Sequence, residues 1–381
     1  MEQSGRNRWQ MRRPQRRLKP AKTVAVGCDS CREHAMVRRG CPVENGSPDP
    51  VAARIGIGKA TISCFSWPHD ETRTTQSAHT PLAIRWLAVI AVMGAAGRVG
   101  GKVGELLLQN GEQIRVLQHS RPLDELAARG AEVLRGDAAN VDDLVGFFDG
   151  SSAALVLLPD NVAEERFVAL RSTIARSIAH ALRRQPVGHI VMLSSVGVDR
   201  PDVPGIPAGL RELEELLFGL DAINLLVLRS ALYIDYLLAA VPLIEAQGIN
   251  GSAIDGDRPL PMIATRDVAA EAAERLVRRD FSGHEAKVLL GPEDITMREA
   301  TTAIGQRLAK RDVPYLQFPP DDLKGALMGA GFSQEAALKL VEMQLGVNEG
   351  RFDVRVARTS ENTGSTRLDD FLNAALAPAE G

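Results

Sequence analysis

The chain has 381 residues, enough for one large domain or two ordinary ones. Its 45% hydrophobic and 24% charged residues, with a net charge of −3, are typical of a globular protein. No stretch approaches the ~20 consecutive apolar residues of a membrane-spanning helix, so we expect a cytoplasmic protein with no membrane contact.

The first 85 residues show neither a helical nor an alternating apolar period. Their arginines, prolines and polar runs are typical of disorder, and we predict a dispensable extension. Two alternatives stay open. Cys28, Cys31, His34 and Cys41 resemble a zinc site, although their spacing is irregular. Residues 1–40 carry eleven Lys/Arg against three Asp/Glu, as in a nucleic-acid-binding arm. We favour neither, and expect no metal and no nucleic-acid partner.

The most informative stretch lies immediately after this extension. Residues 87–93 are apolar and predict a strand that is buried on both faces. Three glycines spaced by three residues follow, and then a helical pattern over 102–110. A strand, a glycine turn and a helix are the context of a dinucleotide-binding loop. We predict that the cofactor binds this loop, with its pyrophosphate at the helix N-terminus, and that the cofactor-binding residues are Gly94, Ala96, Gly97, Arg98, Val99 and Gly100.

From residue 87 onward, strand and helix patterns alternate. Strands are predicted at 114–117, 131–134, 153–158, 188–193, 223–228 and 286–290, with helices between them, including 163–184 and 210–217. Later helices are predicted at 237–247, 268–279, 297–310, 321–328 and 333–349, and residues 351–381 are predicted to be a loose polar tail. Four helix N-caps are predicted: Asn140, Thr296 with Glu299 in a capping box, Asp321 and Ser333.

This order predicts an α/β fold with a doubly wound parallel sheet, the Rossmann architecture. The folded domain should cover residues 86–350. Within it, residues from about 233 to 350 should form a smaller mixed region that binds the substrate.

The end of the second strand bears on the choice of cofactor. NAD-binding sheets of this type place a carboxylate there for the ribose hydroxyls. Here the chain has no carboxylate before Asp124, whereas His119 and Arg121 suit a 2′-phosphate, with Arg98 as another candidate. The alternative is that these are solvated loop residues. We therefore favour NADP over NAD. Asp137 is placed to contact the adenine, with a turn or cap role as the alternative.

Residues 87–350 resemble the NmrA-like branch of the atypical short-chain dehydrogenases/reductases. Matching stretches are 93–100, 133–137, 189–197, 226–235, 263–269 and 290–295. The resemblance implies a Rossmann domain, with a smaller C-terminal region over a substrate cleft. The branch includes NAD(P)H:quinone reductases, azoreductase-like proteins and redox-sensing regulators.

Related carbonyl reductases use a Tyr-x-x-x-Lys pair to donate a proton. Here Leu237, Ala240 and Pro319 stand four residues after the three tyrosines, so that pair is missing. Candidate site residues at strand ends are Pro159 and Asp160, Ser194 and Ser195, and Tyr233 and Tyr236. Of these, Pro159 and Ser194 are also predicted to bind the cofactor. Ser194, Tyr233 and Tyr236 are the candidate catalytic residues. We predict an NAD(P)H-dependent reductase of a quinone-like acceptor. The alternative is a non-catalytic NAD(P)-binding redox sensor that acts on a protein partner.

Overall fold

In the computed structural model of the chain, the structure describes residues 89–310 and 312–377. Seven parallel strands form the main sheet: β1 (Val89–Val92), β2 (Ile114–Gln118), β3 (Glu132–Arg135), β4 (Ser151–Val156), β5 (His189–Ser195), β6 (Asn224–Ser230) and β8 (His284–Leu289). Their order across the sheet is β3-β2-β1-β4-β5-β6-β8. Two short strands, β7 (Asn250–Ser252) and β9 (Tyr315–Gln317), pair separately.

Helices connect the strands of the main sheet, and further helices follow its last strand in the chain. They are α1 (Arg98–Gln109), α2 (Asp124–Ala128), α3 (Val141–Phe148), α4 (Phe167–Arg184), α5 (Pro207–Phe218), α6 (Val241–Gln247), α7 (Thr265–Arg278), α8 (Met297–Arg307), α9 (Pro320–Gly329), α10 (Gln334–Asn348) and α11 (Leu368–Ala375), with a 3-10 helix at Ile234–Ala240. Within the described ranges, no helix is long and apolar enough to cross a membrane.

Alternating side chains of β1, β4, β5 and β6 supply two apolar layers, because successive residues of a strand point to opposite faces. Ile90 and Val92 of β1 join the layer that contains apolar residues of α1 and α7. Ala91 belongs to the opposite layer, with residues of α3, α4 and α5. A parallel sheet covered on both faces is the predicted doubly wound Rossmann fold, which the structure confirms.

The C-terminal region has an apolar cluster of its own, which includes Ile234, Met262 and Tyr315. Helix α10 lies over the turn that follows β5: a Cβ atom on Gly346 would stand 2.3 Å from the Pro204 ring. At the start of α10, the Ser333 N–H donates to the Val162 carbonyl at 2.8 Å. Helix α10 therefore covers the turns after β4 and β5 at the carboxyl edge of the sheet.

The segment after residue 350 was predicted to be a loose tail, and for residues 351–377 that prediction is wrong. Helix α11 packs against the C-terminal cluster through Leu368, Phe371 and Leu372. Upstream of it, the Leu290 N–H donates to the Asn362 carbonyl at 2.8 Å. The predicted extension and its cysteines lie outside the described residues.

Candidate functional site

The turn between β1 and α1 has the geometry of a dinucleotide-binding loop. Gly94 has a φ of +66°, in the left-handed region that favours glycine. The Gly97 N–H donates to the Gly94 carbonyl at 2.8 Å, which closes the turn. Gly97 is the N-cap of α1, and no side chain caps that helix N-terminus. First-turn N–H groups lack intrahelical partners, so this end of α1 suits an anion such as a pyrophosphate.

Gly100 lets α1 press directly on the end of β1. A Cβ atom at this position would stand 2.3 Å from the Gly94 carbonyl oxygen and 2.7 Å from that of Met93. Any side chain here would push the helix away from the loop. Val99 is buried in the core, whereas Ala96 and Arg98 are exposed. Of the predicted loop residues, Val99 therefore anchors the helix in the core, and Ala96 and Arg98 lie on the solvent-exposed side of the loop.

The predicted adenosine-side residues lie at the ends of β2 and β3. His119 and Arg121 are exposed in the turn between β2 and α2, and their contact with a 2′-phosphate stays a prediction. Asp137 follows β3 and uses its carboxylate within its own turn, where Oδ1 accepts from the Ala139 N–H at 2.9 Å. The Asp137 N–H donates to the Asp143 carboxylate at 2.8 Å. Asp137 therefore has a turn role, and contact with an adenine stays a prediction.

Strand β5 extends through Ser195, further than predicted, so the two serines point to opposite faces of the sheet. Ser194 is 4% exposed and its hydroxyl donates to Glu214 of α5 at 2.5 Å. Arg229 donates to both oxygens of Glu214, at 2.6 and 3.2 Å. The Ser194 side chain is thus engaged in the interior, and the structure does not bring it to the open edge with the tyrosines. Ser195 is half-buried, and its hydroxyl donates to the Val196 carbonyl.

The structure brings the two candidate tyrosines together. Their rings lie 5.8 Å apart, centroid to centroid, with an interplanar angle of 31°. The Tyr233 hydroxyl lies 3.0 Å from the Ser230 hydroxyl, and burial raises the pKa of Tyr233 to about 12. Tyr236 is 52% exposed, and desolvation raises the pKa of its phenol as well. Both phenols are therefore protonated at neutral pH.

One contact links the glycine loop to this aromatic pair. The Arg98 guanidinium lies over the Tyr236 ring, 5.5 Å from its centroid, within the range of a cation–π interaction. Arg98 belongs to the first turn of α1 and Tyr236 to the segment after β6. Residues predicted to bind the cofactor and residues predicted to bind the acceptor thus meet at one edge of the sheet.

Pro159 and Asp160 follow β4 and are exposed at the same edge. Asp160 forms an ion pair with Arg171 of α4, a residue that sequence reasoning missed. The signal was present: Phe167, Arg171, Ile174 and Ile178 recur at helical spacing on one buried face of α4. A charged residue within such an apolar stripe indicates a specific partner.

Glu214 and Asp235 were also missed as structural residues. Asp235 accepts from the Thr265 N–H at 2.8 Å and from the Thr265 hydroxyl at 2.5 Å, so it caps the N-terminus of α7.

Among the described residues, no His, Cys, Asp or Glu side chains cluster as metal ligands.

The fold and the loop define a dinucleotide-binding Rossmann protein, and comparison with known proteins agrees. Residues 94–220 match the family model described as NAD(P)H-binding. The chain thus carries an NAD(P)H-binding domain.

Two further comparisons narrow the relationship. Over 72 residues the chain is 36% identical to an NmrA-like family domain-containing oxidoreductase of Aspergillus flavus, a match that covers 18% of this chain and 22% of that protein. The match therefore spans about a fifth of that relative's length. Together with the family model, it confirms the resemblance to NmrA-like proteins.

Solved structures show the same fold. An NADPH-dependent quinone oxidoreductase from Escherichia coli, complexed with NADPH, superposes with a TM-score of 0.64 at 23% identity, over 75% of this chain and 99% of that one. A triphenylmethane reductase from Citrobacter sp., complexed with NADP(H), has a TM-score of 0.61 at 21% identity, over 75% and 99% of the respective chains.

Proposed function

We propose that this protein is an NADPH-dependent oxidoreductase that reduces a flat, quinone-like acceptor by hydride transfer. The contact between Arg98 and Tyr236 carries the proposal, because it joins the glycine loop to an exposed aromatic ring on which an acceptor can stack. Two similar structures, one of a quinone oxidoreductase and one of a triphenylmethane reductase, support this class of acceptor.

The residues present fit the cofactor. Gly100 keeps α1 against the loop, and the uncapped N-terminus of α1 presents N–H groups to the pyrophosphate. Gly94, Ala96 and Gly97 supply the backbone that approaches it. His119 and Arg121 bind the 2′-phosphate, which favours NADPH over NADH. When bound, the reduced nicotinamide supplies the hydride.

Proton supply argues for a quinone rather than a simple ketone. A ketone needs a general acid at the oxygen as the hydride arrives. Here the pKa of Tyr233 is raised to about 12 by burial, and no lysine stands four residues after any tyrosine. Both phenols are therefore weak acids. A quinone keeps the added charge on a conjugated oxygen and takes its proton from solvent. Tyr236 then serves chiefly to stack on the ring of the acceptor.

The missing Tyr-x-x-x-Lys pair favours one alternative, a non-catalytic NAD(P)-binding sensor whose partner is another protein. Turnover separates the two functions.

The test is NADPH oxidation by the full-length chain with menadione and benzoquinone, paired with NADPH binding measured by fluorescence. We expect quinone-dependent oxidation, and we expect Gly97→Asp to abolish it by placing a carboxylate at the pyrophosphate site. Gly146→Asp is the matched control, because Gly146 is exposed on α3 with no heavy atom within 4 Å of an added Cβ. Binding without turnover on any quinone would leave the sensor as the better account.

The cofactor preference has its own test. In the variant with His119→Ala and Arg121→Ala, we expect the affinity for NADPH to fall about tenfold or more and that for NADH to stay within about twofold, because a charge-assisted hydrogen bond is worth ~1.5–3 kcal/mol. Equal losses for both nucleotides would contradict recognition of the 2′-phosphate by these residues.

A further inference from the structure

An arginine side chain is buried at the carboxyl edge of the sheet, where we place the acceptor. Arg171, in the second turn of α4, is 3% exposed. Its guanidinium pairs with the Asp160 carboxylate, donates to the Ile206 carbonyl at 3.2 Å and lies 5.4 Å from the Phe167 ring centroid. Burial lowers its pKa to about 10, so the side chain stays charged at neutral pH.

The groups around Arg171 come from several turns at the carboxyl edge of the sheet. Asp160 belongs to the turn after β4, and Ile206 ends the turn after β5. Tyr236 follows β6, the strand next to β5 in the sheet. One guanidinium therefore connects the turns after two adjacent strands, β4 and β5, at the edge of the sheet where ligands bind in open α/β folds.

The packing around the guanidinium is close. A Cβ atom on Gly209 of α5 would stand 2.9 Å from Arg171 Nε, so this approach of the two helices depends on glycine. Burying a guanidinium is costly even when it pairs with a carboxylate, here the partly exposed Asp160, and an apolar residue of similar size fills such a space at least as well. Stability alone thus gives little reason for an arginine at this position.

We propose that Arg171 is a positioning residue for the acceptor: by holding Asp160 and the turn after β5, it sets the width of the cleft in front of Tyr236. This inference rests on the proposed function, because it concerns the acceptor of the same reaction. Arg171 is nearly inaccessible, so it acts through these neighbours. Binding of NADPH, which uses the glycine loop, does not depend on it.

Three variants of the full-length protein test the inference. Arg171→Met removes the charge and keeps much of the volume. Arg171→Lys keeps the charge, but a single ammonium cannot reproduce the planar fork that meets both Asp160 and Ile206. Gly209→Ala leaves Arg171 in the chain and displaces its flexible end. Arg176→Met is the matched control: Arg176 lies on the same helix, 66% exposed, and pairs with Glu212 at 3.0 Å.

We expect Arg171→Met and Gly209→Ala to raise the KM for menadione about tenfold or more, since small misplacements in a site cost up to ~10²-fold. The KM for NADPH should stay within about twofold. Arg171→Lys should recover part of the loss, and Arg176→Met should match the wild type. A change in thermal stability with both KM values intact, or an equal loss for both substrates, would overturn the inference.

A second readout separates this inference from the proposed function. Calorimetric binding of menadione to the protein saturated with NADP⁺ needs no turnover. If the wild type binds menadione without reducing it and Gly209→Ala weakens that binding, the reductase fails while the role of Arg171 stands. If the wild type turns over and the variants bind menadione equally well, Arg171 has no positioning role. No menadione binding by the wild type would overturn both.

Discussion

Replacing Gly100 by alanine tests the cofactor loop with the smallest change available. The added Cβ atom would stand 2.3 Å from the Gly94 carbonyl oxygen, 2.6 Å from the Gly94 carbonyl carbon and 2.7 Å from the Met93 oxygen. All three are backbone atoms, which cannot rotate away as a side chain can. Helix α1 or the loop must therefore shift, and the N–H groups at the start of α1 must move with it.

The size of the effect follows from the cost of that shift. Overpacking a well-packed site costs about 1–3 kcal/mol. If the loop must return to its native geometry to bind the pyrophosphate, this cost appears in the affinity. Since ~1.4 kcal/mol is tenfold, we expect the Kd for NADPH to rise about five- to a hundredfold. Titration of NADPH fluorescence measures it directly.

Gly104→Ala is the matched control, one turn further along α1. There the nearest atom to an added Cβ is the Ile114 Cδ1, at 3.4 Å, an ordinary contact. Alanine in place of glycine inside a helix should add about 0.5–1 kcal/mol of stability and leave the NADPH affinity unchanged. An unchanged Kd in Gly100→Ala, or equal losses in both variants, would refute the reasoning that the close approach at Gly100 shapes the cofactor site.

Three further predictions concern the interior. Arg229→Met leaves the buried Glu214 carboxylate without its cation, so the free energy of unfolding in urea should fall by about 3–5 kcal/mol. Adding Glu214→Gln should recover part of that loss, and an additive double variant would contradict the pairing. Burial and nearby Arg279 lower the pKa of His189, so below pH ~6.5 the unfolded state binds more protons and stability falls as the pH drops. His189→Asn should flatten that slope in thermal melts at several pH values, and an unchanged slope would argue against it. Leu372→Ala truncates a fully buried side chain and should cost about 2–5 kcal/mol, whereas wild-type stability in this variant would mean that α11 does not pack as described.

Features of the fold that depend on neighbouring residues in the chain were predictable from the sequence. The strand, glycine turn and helix over residues 89–109 and the caps at Asn140, Thr296 and Ser333 were predicted correctly, because each depends on a few adjacent residues. The cap predicted at Asp321 was wrong. Helix α9 begins one residue earlier, at Pro320, because proline at the first helical position already has the required φ.

Contacts between distant residues were not predictable in the same way. Arg171 meets Asp160 and Ile206, which lie 11 and 35 positions away and are brought together only by the sheet order. Ser194 was placed at the open edge because its strand was predicted to end at residue 193. Two more residues of strand turned its side chain to the α5 face, where Glu214 accepts its hydrogen.

The C-terminal segment also affects how this molecule behaves beside copies of itself. An exposed sheet edge offers unpaired backbone groups to strands of other molecules, and so invites aggregation. At one edge, β3 is only four residues long and has exposed charged residues, Glu132 and Arg135, at its ends. At the other edge, just beyond β8, the Leu290 N–H and carbonyl are already bonded to residues 362 and 364. Shortening the chain before residue 362 would expose these groups, so a truncated protein should aggregate more readily than the whole chain.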